Sequence, residues 1–131
     1  MAGEMNLKKL IQNMHPELHN DIYVFCTFES GEQPVSLKPI GWFMEKEGLT
    51  CIISKTQADE LNLPYSFVSA WITLNIHSAL EAVGLTAAVS EALTQAGISC
   101  NVVAAYYHDH LFVPVKDASR ALEVLQNLSK G

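Results

Sequence analysis

His108-Asp109-His110 is the sharpest chemical signal in the chain, because two histidines one residue apart project the same way on a strand, with the spacing of a metal-ligating pair. A third ligand is needed, and His77 is the nearby candidate by topology. An Asp in this position also has simpler uses: a hairpin turn favours it, and it orients a histidine without any metal. The reading adopted is a polar or interface cluster of His108, Asp109 and His110 with no resident metal and no cofactor. A metal or acid/base centre of His77, His108 and His110 stands as the enzyme alternative. The chain has no Gly-x-Ser-x-Gly elbow, phosphate loop, dinucleotide fingerprint or His-Glu-x-x-His motif, which points to a non-catalytic protein.

A second group of residues surrounds a loop. Gly84 precedes a helical stretch, so the backbone N–H groups of Gly84, Leu85 and Thr86 stand at a helix N-terminus, which suits a carboxylate. At the other end of the loop, Asn75, His77 and Ser78 offer acceptors for an ammonium group, so an amino-acid zwitterion matches both ends. A plain turn capped by Ser or Thr side chains accounts for the same residues, and both readings stay open. Asn101 is a lone Asn in an apolar strand and needs partners; it either holds the 77 to 84 loop or touches a ligand.

The elements that must position these groups follow from periodicity. Ala70, Ile72, Leu74 and Ile76 alternate with Trp71, Thr73 and Asn75, which predicts a strand with one apolar face. After Gly84, apolar residues recur at Leu85, Ala88, Val89, Ala92, Leu93 and Ala96, and Gly97 closes a helix over 85 to 96. Ile98 to Tyr107 and His110 to Val115 read as a hairpin turning at His108-Asp109, and Asp117 caps a helix bearing Ala121, Leu122, Leu125 and Leu128. The order β-α-β-β-α is that of a ferredoxin-like unit lacking its last strand.

The earlier part of the chain reads α-β-β-β-α. Asn6 caps a first helix that Pro16 stops, and Asp21 to Phe28 forms a strand covered on both faces. Ile40 to Glu45 and Leu49 to Ser54 make a hairpin turning at Gly48, and Ser54 with Gln57 forms a capping box for a short helix ending before Pro64. The expected cut lies near Pro64 to Ser66, giving halves 5 to 66 and 67 to 131, similar in plan but with no residue-level repeat. Trp42 and Trp71 are expected to fill the core or the junction of the halves, and His15 and His19 to lie in a polar connection.

Composition narrows the class. With 49% hydrophobic and 17% charged residues in 131, the chain has the make-up of packed globular domains. A net charge of −6 with only 8 Lys plus Arg argues against a nucleic-acid partner. No apolar run approaches a membrane span and the first residues lack signal-peptide character, so a cytoplasmic protein with no membrane partner is expected. Cys26, Cys51 and Cys100 form no Cys-x-x-Cys pair and read as buried reduced thiols.

The segment from Val83-Gly84-Leu85 through Ala96-Gly97-Ile98 to Asn101 resembles the ACT domain, and most closely the regulatory ACT repeats of aspartate kinases. His77-Ser78-x-Leu80-x-x-Val83-Gly84-Leu85 and Tyr106-x-His108-Asp109-His110 are similar to small stand-alone bacterial tandem ACT proteins without a catalytic domain. The resemblance covers about Asn6 to Leu128 and is strongest over 69 to 128. It implies an α+β, ferredoxin-like (ACT-type βαββαβ) tandem: antiparallel sheets with helices packed on one face, pairing as a homodimer. The implied function is regulatory binding of an amino acid or related small metabolite, with contacts at Asn75, His77, Ser78, Val83, Gly84, Leu85, Thr86 and Asn101. A permuted strand from 21 to 28 or 66 to 76 is expected to supply the missing edge. A purely structural interaction module is the remaining alternative.

Overall fold

The structure is a computed structural model that describes residues 6–76 and 83–131. Its elements run α1 (Leu7–Gln12), β1 (Pro16–Phe28), β2 (Gly41–Met44), β3 (Leu49–Ser54), α2 (Lys55–Glu60), β4 (Val68–Leu74), α3 (Leu85–Gln95), β5 (Asn101–Ala104), β6 (Asp109–Pro114) and α4 (Ala118–Lys130). A short 3-10 turn, Val115–Asp117, leads into α4. The fold is α+β and ferredoxin-like. It divides into two compact units, one of Met1–Asn20 with Ala70–Gly131 and one of Asp21–Ser69.

In the larger unit the strand order is β1-β4-β6-β5. The edge that the later half lacks is supplied by the opening of β1, which begins at Pro16 rather than at Asp21. Proline is tolerated there because it is the first residue of a strand. Ala70, Ile72 and Leu74 of β4 and Leu111 and Val113 of β6 turn to one side, where they pack with Leu10, Met14, Leu85, Val89, Leu93, Ala121 and Leu125. The helices α1, α3 and α4 thus share one core with the sheet, as alternation along the strands and the 3.6-residue stripe along the helices require.

Helix α3 is bounded by two glycines, as its sequence predicts. Gly84 has φ +100° at its start and Gly97 has φ +75° beyond its end. At the far end Gly97 N donates to the Thr94 carbonyl at 2.9 Å and Ile98 N to the Leu93 carbonyl at 2.9 Å, the paired bonds of a Schellman motif. Ile98 and Leu93 then meet in the core, which fixes where the chain turns toward β5.

The smaller unit has the order β2-β3-β1 and a core of Val24, Cys26, Leu37, Leu49, Cys51, Ile53 and Ala58. Half of the expected capping box forms: Ser54 Oγ accepts from Gln57 N at 3.2 Å, but the Gln57 side chain does not return to the Ser54 backbone; its Nε2 donates to Ser54 Oγ at 3.3 Å and its Oε1 accepts from Lys38 N at 2.9 Å. Cys26 and Cys51 stand directly opposite each other across β1 and β3, and burial raises both thiol pKa values. Trp42, expected to be core, is 63% exposed on the short strand β2.

A repeat hidden in the sequence emerges at the level of register. Gly41 pairs with Ile52 and Met44 with Leu49, while Asn101 pairs with Phe112 and Ala104 with Asp109, an offset of 60 residues throughout. Both turns close with the same bond, Glu45 N to the Gly48 carbonyl and Ala105 N to the His108 carbonyl. The second turn is therefore 105–108, and Asp109 is the first residue of β6 instead of a turn residue.

Candidate functional site

The face of β4 turned away from the helices carries Trp71 and Thr73, and Asn75 follows directly after the strand; these three engage polar groups of the larger unit. Trp71 Nε1 donates to His110 Nδ1 at 3.1 Å. Thr73 Oγ1 lies 3.1 Å from the same nitrogen and 2.8 Å from His19 Nε2. The His19 ring stacks on Trp71 with centroids 3.7 Å apart and planes 17° apart, and Phe112 stacks on Trp71 at 6.3 Å. Two residues on, Asn75 Nδ2 donates to Glu17 Oε1 at 2.9 Å. Thr73 is only 4% exposed, so its hydroxyl needs these partners.

His108 and His110 do not act together. His108 lies in the turn and its Nδ1 sits 3.2 Å from the Ile76 carbonyl, which can only accept, so Nδ1 carries the proton. His110 is on the strand and engages Trp71 and Thr73. Among the described residues no three His, Cys, Asp or Glu side chains come together as a metal site. His77, the proposed third ligand, lies outside the described residues.

Electrostatics follow from burial. His110 is held below its ordinary pKa first by burial and then by the positive fields of His108 and His19. Burial raises the pKa of the Asp109 carboxyl, with His108 opposing that shift. Cys100 is pushed up to about 11 by burial, which makes its thiol inert.

The second candidate group is at the start of α3. Gly84 is the N-cap residue and provides no side-chain bond, so capping by its own side chain is not what satisfies the first turn of the helix. A Cβ on Gly84 would approach Leu7 Cδ2 to 3.1 Å, so α1 backs directly onto this turn. Val83 is 81% exposed beside it, and Leu85 is buried in the core. Thr86 is exposed in the first turn, and Asn101 is exposed at the first residue of β5. Ser78, like His77, lies outside the described residues.

Sequence reasoning missed the part played by His19 and Thr73. The sequence places His19 in a polar connection after the helix that Pro16 stops, whereas Pro16 begins β1 and so brings His19 beside β4. The signal that was available is the alternation of β4 itself: Thr73 shares a face with Trp71 and must find a partner there.

Two models of the ACT domain match the chain, over residues 2–70 and 66–127. No curated protein matches it. Among solved structures, a Vibrio cholerae protein described as of unknown function and a possible transport protein is 44% identical over 94% of this chain and 95% of its own, with TM-score 0.83. An Agrobacterium tumefaciens protein is 18% identical over 87% of each chain, with TM-score 0.67. The regulatory subunit of aspartate kinase from Thermus flavus is 10% identical over 98% of this chain and 99% of its own, with TM-score 0.64. At such identities the last two speak to fold alone. With one ACT model spanning more than half of its residues and a second following it to residue 127, the chain belongs to the ACT-domain family and carries two such domains in tandem.

Proposed function

We propose that this protein is a non-catalytic, cytoplasmic regulatory module that binds an amino acid or closely related metabolite at the loop entering α3. Its two ACT domains would span about 5–66 and 67–131. One observation supports the reading: Gly84, in the left-handed region with φ +100°, opens α3 with no side-chain cap, so the first turn of the helix, at Leu85 and Thr86, keeps the backbone N–H groups that favour a carboxylate at a helix N-terminus. Val83 supplies apolar surface beside them, and Asn75, His77, Ser78 and Asn101 supply the polar contacts that fix an ammonium group or side chain.

Thermal unfolding of the purified protein against single amino acids tests this. At a hundredfold excess over Kd a ligand of the native state adds about 2.7 kcal/mol, a shift of several degrees at this size. Asn101→Ala is expected to abolish the shift while leaving the unliganded midpoint nearly unchanged, since Asn101 is exposed. An absence of any amino-acid shift sinks the proposal, and a shift with divalent metals alone would move the site to the histidines.

The module is also proposed to form a homodimer, and edge strand β2 supports this. Trp42, Phe43 and Met44 are 63%, 71% and 55% exposed, and three consecutive large apolar side chains on a sheet edge invite a second copy. Light scattering should give twice the chain mass for the native protein and a shift toward the single-chain mass for Phe43→Glu. A monomeric native protein refutes it.

A further inference from the structure

The hydrogen bonds around His110 can be given a direction from donor chemistry alone. An indole N–H only donates, so the 3.1 Å contact from Trp71 Nε1 requires a lone pair on His110 Nδ1 and places the proton of the neutral ring on Nε2. Thr73 Oγ1, 3.1 Å from that lone pair, must donate to it, which leaves its oxygen to accept from His19 Nε2–H at 2.8 Å. One imidazole nitrogen thus accepts from two donors, joining β4 to β6. Among the described residues no buried side-chain nitrogen or oxygen lacks a partner.

The two donors differ in what they can do when that nitrogen changes role. If a proton from solvent binds Nδ1, His110 becomes a cation with a donor on that side. The Thr73 hydroxyl rotates and accepts from it, because a hydroxyl works both ways. The indole of Trp71 has no such option, and two N–H groups are left facing each other.

We propose that His110 is an acid-sensitive latch: proton uptake at Nδ1 keeps the Thr73 contact but expels the Trp71 indole, loosening the aromatic stack of His19, Trp71 and Phe112 on this sheet face. The ionisable groups around it are few. His19 faces it from β1 and His108 from the adjoining turn, and a positive charge on either opposes the second proton. Asp109 precedes it on its own strand, and Glu17 on β1 is engaged by Asn75. The strands β4 and β5 bring no ionisable side chain.

The latch is independent of what the α3 loop binds. Its direction in pH follows from linkage: a histidine whose folded pKa lies below 6.5 stabilises the fold fully above that value, and the contribution is lost as pH falls through the folded pKa. Asp109, raised by burial, acts in the opposite sense over the acid range, so variants must separate the two.

The test is a pH titration followed by the indole N–H resonance of Trp71 and the ring resonances of His110 and His19, from about pH 8 down to about pH 4.5. With Trp42→Phe, Trp71 remains as the single tryptophan of the 2 in the chain. The indole resonance is expected to move upfield with the midpoint of the His110 ring, below 6.5. In His110→Asn, which keeps an acceptor near the Nδ1 position but does not titrate, that movement should vanish. The idea is overturned by an indole resonance that stays fixed while His110 titrates, by a His110 ring that remains neutral across the range, or by a movement that follows His19 and persists in His110→Asn. The midpoints of the two rings in the otherwise native protein decide the matter even if His110→Asn does not fold.

Discussion

Leu93→Ala is expected to destabilise the protein by about 3–5 kcal/mol. Leu93 is fully buried where α3 meets the sheet and α4, and it shares its core with Val89, Ile98, Leu111 and Leu125. Truncation removes apolar atoms from a site whose walls come from three helices and a sheet, and these cannot close together to fill the hole. The Schellman bonds that end α3 use the backbone carbonyls of Leu93 and Thr94 and survive the change, so the loss isolates packing from helix termination. Against a total stability of about 5–15 kcal/mol this is a large fraction. Urea denaturation should show a lower midpoint at an unchanged slope; a loss below about 1 kcal/mol would mean the core is not packed as described.

Gly48→Ala is expected to cost about 3 kcal/mol, from strain at a single turn. Gly48 has φ +155° and an added Cβ would lie 2.6 Å from the Phe28 carbonyl oxygen and 3.1 Å from the Glu29 Cα. Both obstacles are backbone, so no side chain can swing aside. The hairpin β2–β3 must shift as a body or give up its closing bonds between Glu45 and Gly48. Ala at Gly97, which has φ +75° but no atom within 4 Å of its would-be Cβ, serves as the control: it suffers backbone strain alone. Equal losses at the two positions would show that the close approach at Gly48 contributes nothing.

What was legible in the sequence was local. Ser54-x-x-Gln57 predicts its own cap, and Gly84 and Gly97 mark both ends of α3, because each signal concerns groups within one turn of helix. The ACT resemblance carries the fold further than periodicity does, but it leaves two candidates for the missing strand, 21 to 28 and 66 to 76, and the one that supplies it starts earlier, at Pro16. The start of β1 was illegible for a physical reason: Pro16 and the polar residues after it carry no strand pattern of their own and become a strand by pairing beside β4. The His19, Thr73 and His110 cluster inherits that difficulty, since its members come from three strands far apart in the chain. The 60-residue repeat was hidden because hairpin register depends on turn length and backbone pairing, whereas the paired positions carry unrelated side chains such as Leu49 and Asp109.

The larger unit is assembled from two stretches of chain with the whole of Asp21–Ser69 inserted between them. Placing the opening of β1 beside β4 from an unfolded chain means closing that entire insertion as a loop, an entropic cost that grows with its length. If the insertion folds first, its two ends are already held together, because Ser69 Oγ donates to the Tyr23 carbonyl at 2.8 Å. The chain then meets the remaining pairing as a short closure, so the inserted unit shortens the loop that the larger unit must close. The least costly route during synthesis is therefore from the middle outward: the insertion settles first, and the segments on either side of it join afterward.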